Sequence, residues 1–285
     1  MLEQIGAPVS SAKIRLLAGC ATLALACGGA RAADVAPTAP APTGWILTVG
    51  VGPQVQTSFP GARSVNVWPT GGLGLRRVGE PAPFFSPDDG FGLALLDFGW
   101  FKAGPVGRII SSRGLSNGNG AFYGLHDIGT SVELGAFADI WPAQWLRLRG
   151  EVRQAVSGND GLDANISIDG VYRYDAYTFA LGPRLQFGDW QYMNAYFSVS
   201  QGEALANGKV GPYQASGGLA SVGVAASIKY DYNADWSATL FGGYNRLVSA
   251  AASSPIPNNL GSLNQFTAGV VISRNFVLDS IPFLH

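Results

Sequence analysis

Glu133, Asp139, Arg147, Arg149, Glu151 and Arg153 all fall on odd numbers. Alternate side chains of a β-strand share a face, so two neighbouring strands here would collect three arginines and three carboxylates on one side. Such a set can fill an interior with ion pairs, or it can line a passage and select solutes by charge. The even positions, Val132, Leu134, Ala136, Ala138 and Ile140, then Leu146, Leu148, Gly150 and Val152, are apolar or small. Joined through a Pro142-Ala143-Gln144 turn, the strands set Asp139 against Arg147 and Glu133 against Arg153. A slip of one residue would oppose each charge with an apolar side chain.

Other chemistry is sparse. His126 stands beside Asp127, and His285 is the other histidine. A Ser-His-Asp hydrolase would have to use His126, and no G-x-S-x-G elbow supplies a nucleophile. Gly50-Val51-Gly52 and Gly72-Leu73-Gly74 are not followed by helices, so they are not dinucleotide loops. They read as small residues in strands where the backbone curves. Asp88-Asp89-Gly90 reads as a turn without EF-hand spacing. Cys20 and Cys27 both lie in an apolar leader, which leaves no thiol chemistry beyond it. No catalytic residue, metal site or cofactor is expected.

These charges must be positioned by strands. No stretch after Gly44 has a convincing helical period. Strands are expected near 44–56, 64–77, 90–98, 100–110, 129–141, 144–156, 162–173, 176–187, 189–200, 217–232, 236–248 and 263–276. Most are long enough for the about 9–11 residues that cross a bilayer, against a usual strand length of about 5–6. From 222 to 232 the even residues, Val222, Val224, Ala226, Ile228, Tyr230 and Tyr232, are apolar or aromatic. After Asn233-Ala234-Asp235 the face resumes with Trp236, Ala238 and Leu240. Val222, Val224, Ile228 and Leu240 are expected to face lipid, and Tyr230, Tyr232 and Trp236 to form an interfacial girdle.

Composition supports that reading. Charged residues make up 13% of the 285, and there are 39 glycines; soluble domains carry about 25% charge. Lys13 and Arg15 precede the apolar run Leu16–Ala26 and then Ala30-Arg31-Ala32, the order of a secretory signal peptide over residues 1–32. A lipoprotein box at Leu17-Ala18-Gly19-Cys20 is disfavoured, because it would follow Arg15 with almost no apolar run between them. Residues 33–43 are a Pro/Ala-rich linker. The formal charge of −1 gives no nucleic-acid footprint. The expectation is an all-β fold, a closed antiparallel transmembrane barrel of about 12 strands (about 10–14) over residues 44–276, exported to the cell outer membrane.

Three segments resemble one family. AYFSVSQGEALANG (195–208), YNRLVSAAASSPI (244–256) and GLHDIGTSVELG (124–135) are similar, in order, to segments of the MltA-interacting protein/OmpV family of outer-membrane proteins. The resemblance covers roughly 44–276. Ser198 stands where the family usually has Gly, and Arg274 where an aromatic residue is common. VLDSIPFLH follows Phe276, either as an extension over 277–285 or with Phe283 in another register. The resemblance implies an outer-membrane barrel and a scaffold that joins a lytic transglycosylase to a peptidoglycan synthase. Partners are then membrane lipid and murein-remodelling enzymes. The alternatives are a narrow, porin-like solute channel with a charged lumen and a hydrolase using His126. With a periplasmic N-terminus, connections 201–216 and 249–262 fall outside. Connection 111–128 then falls on the periplasmic side: either the strand count of the first half is wrong, or this loop is open to a partner.

Overall fold

A strand with lipid on one side must bury its polar residues and expose its apolar ones. The computed structural model, which describes residues 44–114 and 120–279, has that order along most of its wall. Its strands are β1 (Trp45–Thr57), β2 (Val65–Arg77), β3 (Phe91–Gly92), β4 (Leu96–Asp97), β5 (Phe101–Ile110), β6 (Ser131–Ala143), β7 (Leu146–Ser157), β8 (Leu162–Tyr174), β9 (Tyr177–Gly188), β10 (Gly218–Asp231), β11 (Trp236–Leu247) and β12 (Asn264–Leu278). On β7, Arg153 is 0% and Glu151 4% exposed, whereas Val152 is 50% and Val156 61% exposed. A soluble sheet shows water its polar face. Here the charges point inward, as in a membrane barrel.

All paired strands are antiparallel, and the wall runs β2-β1-β12-β11-β10-β9-β8-β7-β6-β5-β3, with β4 also on β5. The last strand closes on the first. The remaining seam, between β2 and β3, carries no backbone pairing. The pairings make β2 and β3 run in the same direction, so the connection Val78–Gly90 must climb back across the wall's height. It does so inside the lumen, where Asp88 and Asp89 meet arginines of the wall.

Two strand expectations are corrected. The 90–98 strand is two short pieces, β3 and β4. The 189–200 segment is not a strand: Trp190–Phe197 is helix α1, capped by the Asp189 side chain, which accepts from the Tyr192 N–H. Its buried residues Tyr192, Met193, Tyr196 and Phe197 recur at helical spacing. Helix α2 (Gln201–Asn207) follows, with a Ser200/Glu203 capping box and Gly208 in left-handed conformation (φ 70°) as its C-cap. The lumen crossing of Val78–Gly90 and the loss of the 189–200 strand together bring 111–128 to the same end as the other long connections. The five-residue helix α3 (Ser249–Ser253) and a π-helical turn (Ile256–Leu260) also lie there.

That end has a core of its own. Phe59, Phe122, Tyr192, Met193, Tyr196, Phe197, Leu247 and Ile256 are buried together and cap the mouth. The other end carries tight turns, such as Gln144-Trp145 and Asp175-Ala176. Membrane barrels place short turns in the periplasm and long loops outside, which puts the cap outside the cell. The expected Asp139–Arg147 facing is also corrected. The ladder skips between Ile140 and Ala143, and Asp139 pairs in register with Arg149, while Glu133 stands opposite Ala155. The shift is two residues, so every side chain keeps its face. Strand β12 runs past Phe276 to Leu278. The expected signal peptide and linker, and residues 280–285, lie outside the described residues.

Candidate functional site

The lumen holds one connected ion-pair network. Arg147 on β7 makes a two-pronged bond to Asp89, at 2.7 and 3.0 Å, and reaches Asp169 of β8 at 2.7 Å. Arg149 holds Asp139 of β6 at 3.0 Å and Glu151 at 2.7 Å. Arg153 holds Glu151, Glu133 at 3.3 Å and Asp163 of β8 at 2.7 Å. Arg184 of β9 bridges Asp169 at 2.7 Å and Asp88 at 2.5 Å. The structure thus brings all six sequence-derived charges together, buried, and adds Asp88, Asp89, Asp163, Asp169 and Arg184.

The added residues divide by legibility. Asp163, Asp169 and Arg184 lie on the lumen faces of β8 and β9, and strand alternation alone could have found them. Asp88 and Asp89 could not be found that way, because nothing in their own spacing places a connection inside the barrel.

Aromatic rings and small residues complete the packing. The Arg149 guanidinium lies 4.0 Å from the Phe137 ring centroid, and that of Arg147 4.9 Å from Phe84. The Gly90 N–H donates to Glu151 at 3.1 Å. A Cβ on Gly72 would stand 2.9 Å from the Phe85 ring, so the wall is thinned where the inner segment leans on it. Between that segment and the β10–β11 wall a cavity of about 30 Å³ remains, lined by Pro87, Asp88, Ala225 and Phe241. It has room for about one or two waters.

On the outer wall, Val224, Ile228 and Leu240 are exposed and Val222 is half-buried. Tyr230 lies 4.9 Å, ring to ring, from Tyr177, and Tyr232 and Trp236 flank the turn. Asn233 shapes that turn by accepting from the Asp235 and Trp236 N–H groups.

His126 belongs to the cap. Its Nδ1 lies 2.5 Å from Glu203, and its Nε2 lies 3.1 Å from both the Ala195 carbonyl and Arg113 Nη2. Both ring nitrogens are engaged in a link between the 111–130 connection and α2. Burial alone would raise the Glu203 carboxyl. Hydrogen bonds from the Ser200 and His126 backbones and side chains outweigh it and hold the pKa at about 2. Burial pulls the Arg113 guanidinium down to about 10.

Residues 49–276 match the family model for MltA-interacting protein MipA. Neisserial surface protein A is a similar solved structure, 8% identical, with 82% of this chain and 98% of that one covered and a TM-score of 0.28. An outer-membrane channel from Pseudomonas putida F1 is 11% identical, with 86% and 100% covered and a TM-score of 0.41. A loop-deletion mutant of OmpT from Vibrio cholerae is 9% identical, with 81% and 98% covered and a TM-score of 0.34. No curated protein is a significant sequence match.

Proposed function

The chain belongs to the MltA-interacting protein MipA family and is an outer-membrane β-barrel, and from that premise we propose that it is a non-enzymatic, non-conducting scaffold for murein-remodelling enzymes. The observation that carries the reading is the filled lumen. A barrel packed by its own Val78–Gly90 segment and capped by a hydrophobic core leaves its periplasmic rim and tight turns for work with partners. The family's name describes an interaction with MltA, and the family resemblance pairs a lytic transglycosylase with a peptidoglycan synthase as the clients.

The test combines capture with conductance. The full chain, tagged and purified from detergent-solubilised envelope, should retain a lytic transglycosylase and give no steady current in a planar bilayer. Repeated capture without any murein enzyme would sink the scaffold. A second reading, a gated channel, draws on the unpaired β2–β3 seam and on an inner segment that is not part of the wall. Steady current that changes in Arg147→Ala would favour it.

A further inference from the structure

Among the described residues, Arg274 on the lipid-facing wall makes no ion pair and no hydrogen bond through its side chain. The outward residues of β12 include Ile272, Arg274 and Phe276, all exposed. Arg274 therefore sits on the apolar side, where the family resemblance leads one to expect an aromatic residue. Its register neighbours are Trp236 of β11 and Val49 of β1. The guanidinium carbon lies 5.1 Å from the Trp236 ring centroid and 4.9 Å from that of Phe276. Phe276 is two residues nearer the periplasmic end, so the side chain bends toward the headgroups, as long cations on membrane walls do.

Both rings meet the guanidinium at cation–π distance, which leaves its N–H edge as the hydrogen-bonding side. Among the described residues, no carboxylate or hydrogen-bond acceptor meets that edge. The nearby Asp235 gives its backbone carbonyl to the Asn275 N–H and forms no ion pair. Arg77 differs: it stacks on Trp45 at 5.1 Å, and Glu80 accepts from its own backbone N–H at 3.0 Å, which places a carboxylate beside it. A planar fork of free donors at headgroup depth matches a pair of phosphate oxygens. The surrounding Leu47, Val49 and Ile272 offer an apolar wall to acyl chains. We propose that Arg274, clamped between Trp236 and Phe276, binds the phosphate of an anionic phospholipid in the periplasmic leaflet.

Native mass spectrometry of the full folded chain, titrated with phosphatidylglycerol, tests this. Arg274→Gln should lower the bound lipid about fivefold at equal lipid concentration, while Arg77→Gln should change it less than about twofold. Heat-modifiable gel migration confirms that each variant is folded. If Arg274→Gln does not fold, Arg274→Lys is read instead; it keeps the charge, loses the fork, and should still bind less lipid than wild type. Unchanged occupancy in the folded Arg274 variant overturns the proposal. Displacement of the lipid by inorganic phosphate alone also overturns it, because the site would then take a free anion.

Discussion

Asp89→Ala should release the inner segment while leaving the wall intact. The Asp89 and Arg147 side chains are almost completely buried, and they exchange two bonds of 2.7 and 3.0 Å. Removing one partner of a buried ion pair costs about 3–5 kcal/mol, because the other charge is left behind. Here the other charge is not left alone. Arg147 keeps Asp169 at 2.7 Å, and Arg149 keeps Asp139 and Glu151. The loss therefore belongs at the low end, about 3 kcal/mol, or roughly a hundredfold in the population of the released segment. Arg147→Ala takes a partner from two carboxylates, of which Asp169 keeps Arg184 at 2.7 Å and Asp89 keeps only the longer contact to Arg149 at 3.6 Å, so its cost should be the larger. The double variant should cost less than the sum of the singles by about 1–3 kcal/mol. Urea midpoints read from heat-modifiable migration measure the stability terms. Proteolysis within Val78–Gly90 reports release. If Asp89→Ala lies within about 0.5 kcal/mol of wild type, or the two substitutions are additive, this pair does not hold the segment and the account of the lumen fails.

The lipid face and the cap give further expectations. Val224→Arg, near the middle of β10, should lower stability in vesicles by about 2–4 kcal/mol, whereas Ile228→Arg, three residues from the strand end at Asp231, should cost less. Urea titration of folding into phospholipid vesicles measures both, and equal losses would contradict the depth assigned to β10. The cap should loosen in acid. The folded Glu203 pKa of about 2 lies below its ordinary 4.5, so the stability it lends is present above 4.5 and is lost as pH falls from there through about 2. Proteolysis of the 189–217 connection across that window should show it, and Glu203→Gln should flatten the response.

Much of the wall was legible because alternation survives errors of register. Arg147 to Arg153 keep one face whether Asp139 meets Arg147 or Arg149, since the error was an even number of residues. The cap was not legible for the opposite reason. Tyr192, Met193, Tyr196 and Phe197 pack against loops far away in sequence, including Phe59 and Ile256. Their short apolar run suits either a strand or a buried helix, and only the tertiary core chooses. The capping box at Ser200 and Glu203 was a local signal within reach.

The inner segment follows from proline chemistry. By direction, Val78–Gly90 is the strand that a regular meander would place between β2 and β3, antiparallel to both. Pro81, Pro83 and Pro87 are all odd, so as a strand it would offer one neighbour a row of missing N–H groups. Unmet backbone groups are costly in a bilayer, and of the adjacent Asp88 and Asp89 one would point at lipid. In the lumen both carboxylates meet arginines, and the prolines need no ladder. The edges left behind are suited to standing unpaired. The Val78 N–H donates to the Gly44 carbonyl, so even residues of β2 bond β1 and odd ones, Pro69 among them, face the seam. The Leu93 N–H donates to the Pro105 carbonyl, so Pro105 turns its missing N–H toward the break between β3 and β4, where the ladder is already interrupted. Proline is tolerated at such edges. By contrast, Pro53 and Pro183 fall where the ladders to β12 and β8 skip residues. Replacing Pro81, Pro83 and Pro87 together with Thr would restore the donors. If the prolines are what keeps the segment out of the wall, its protection from hydrogen exchange should rise toward that of β2; unchanged exchange would leave the ion pairs alone as the cause.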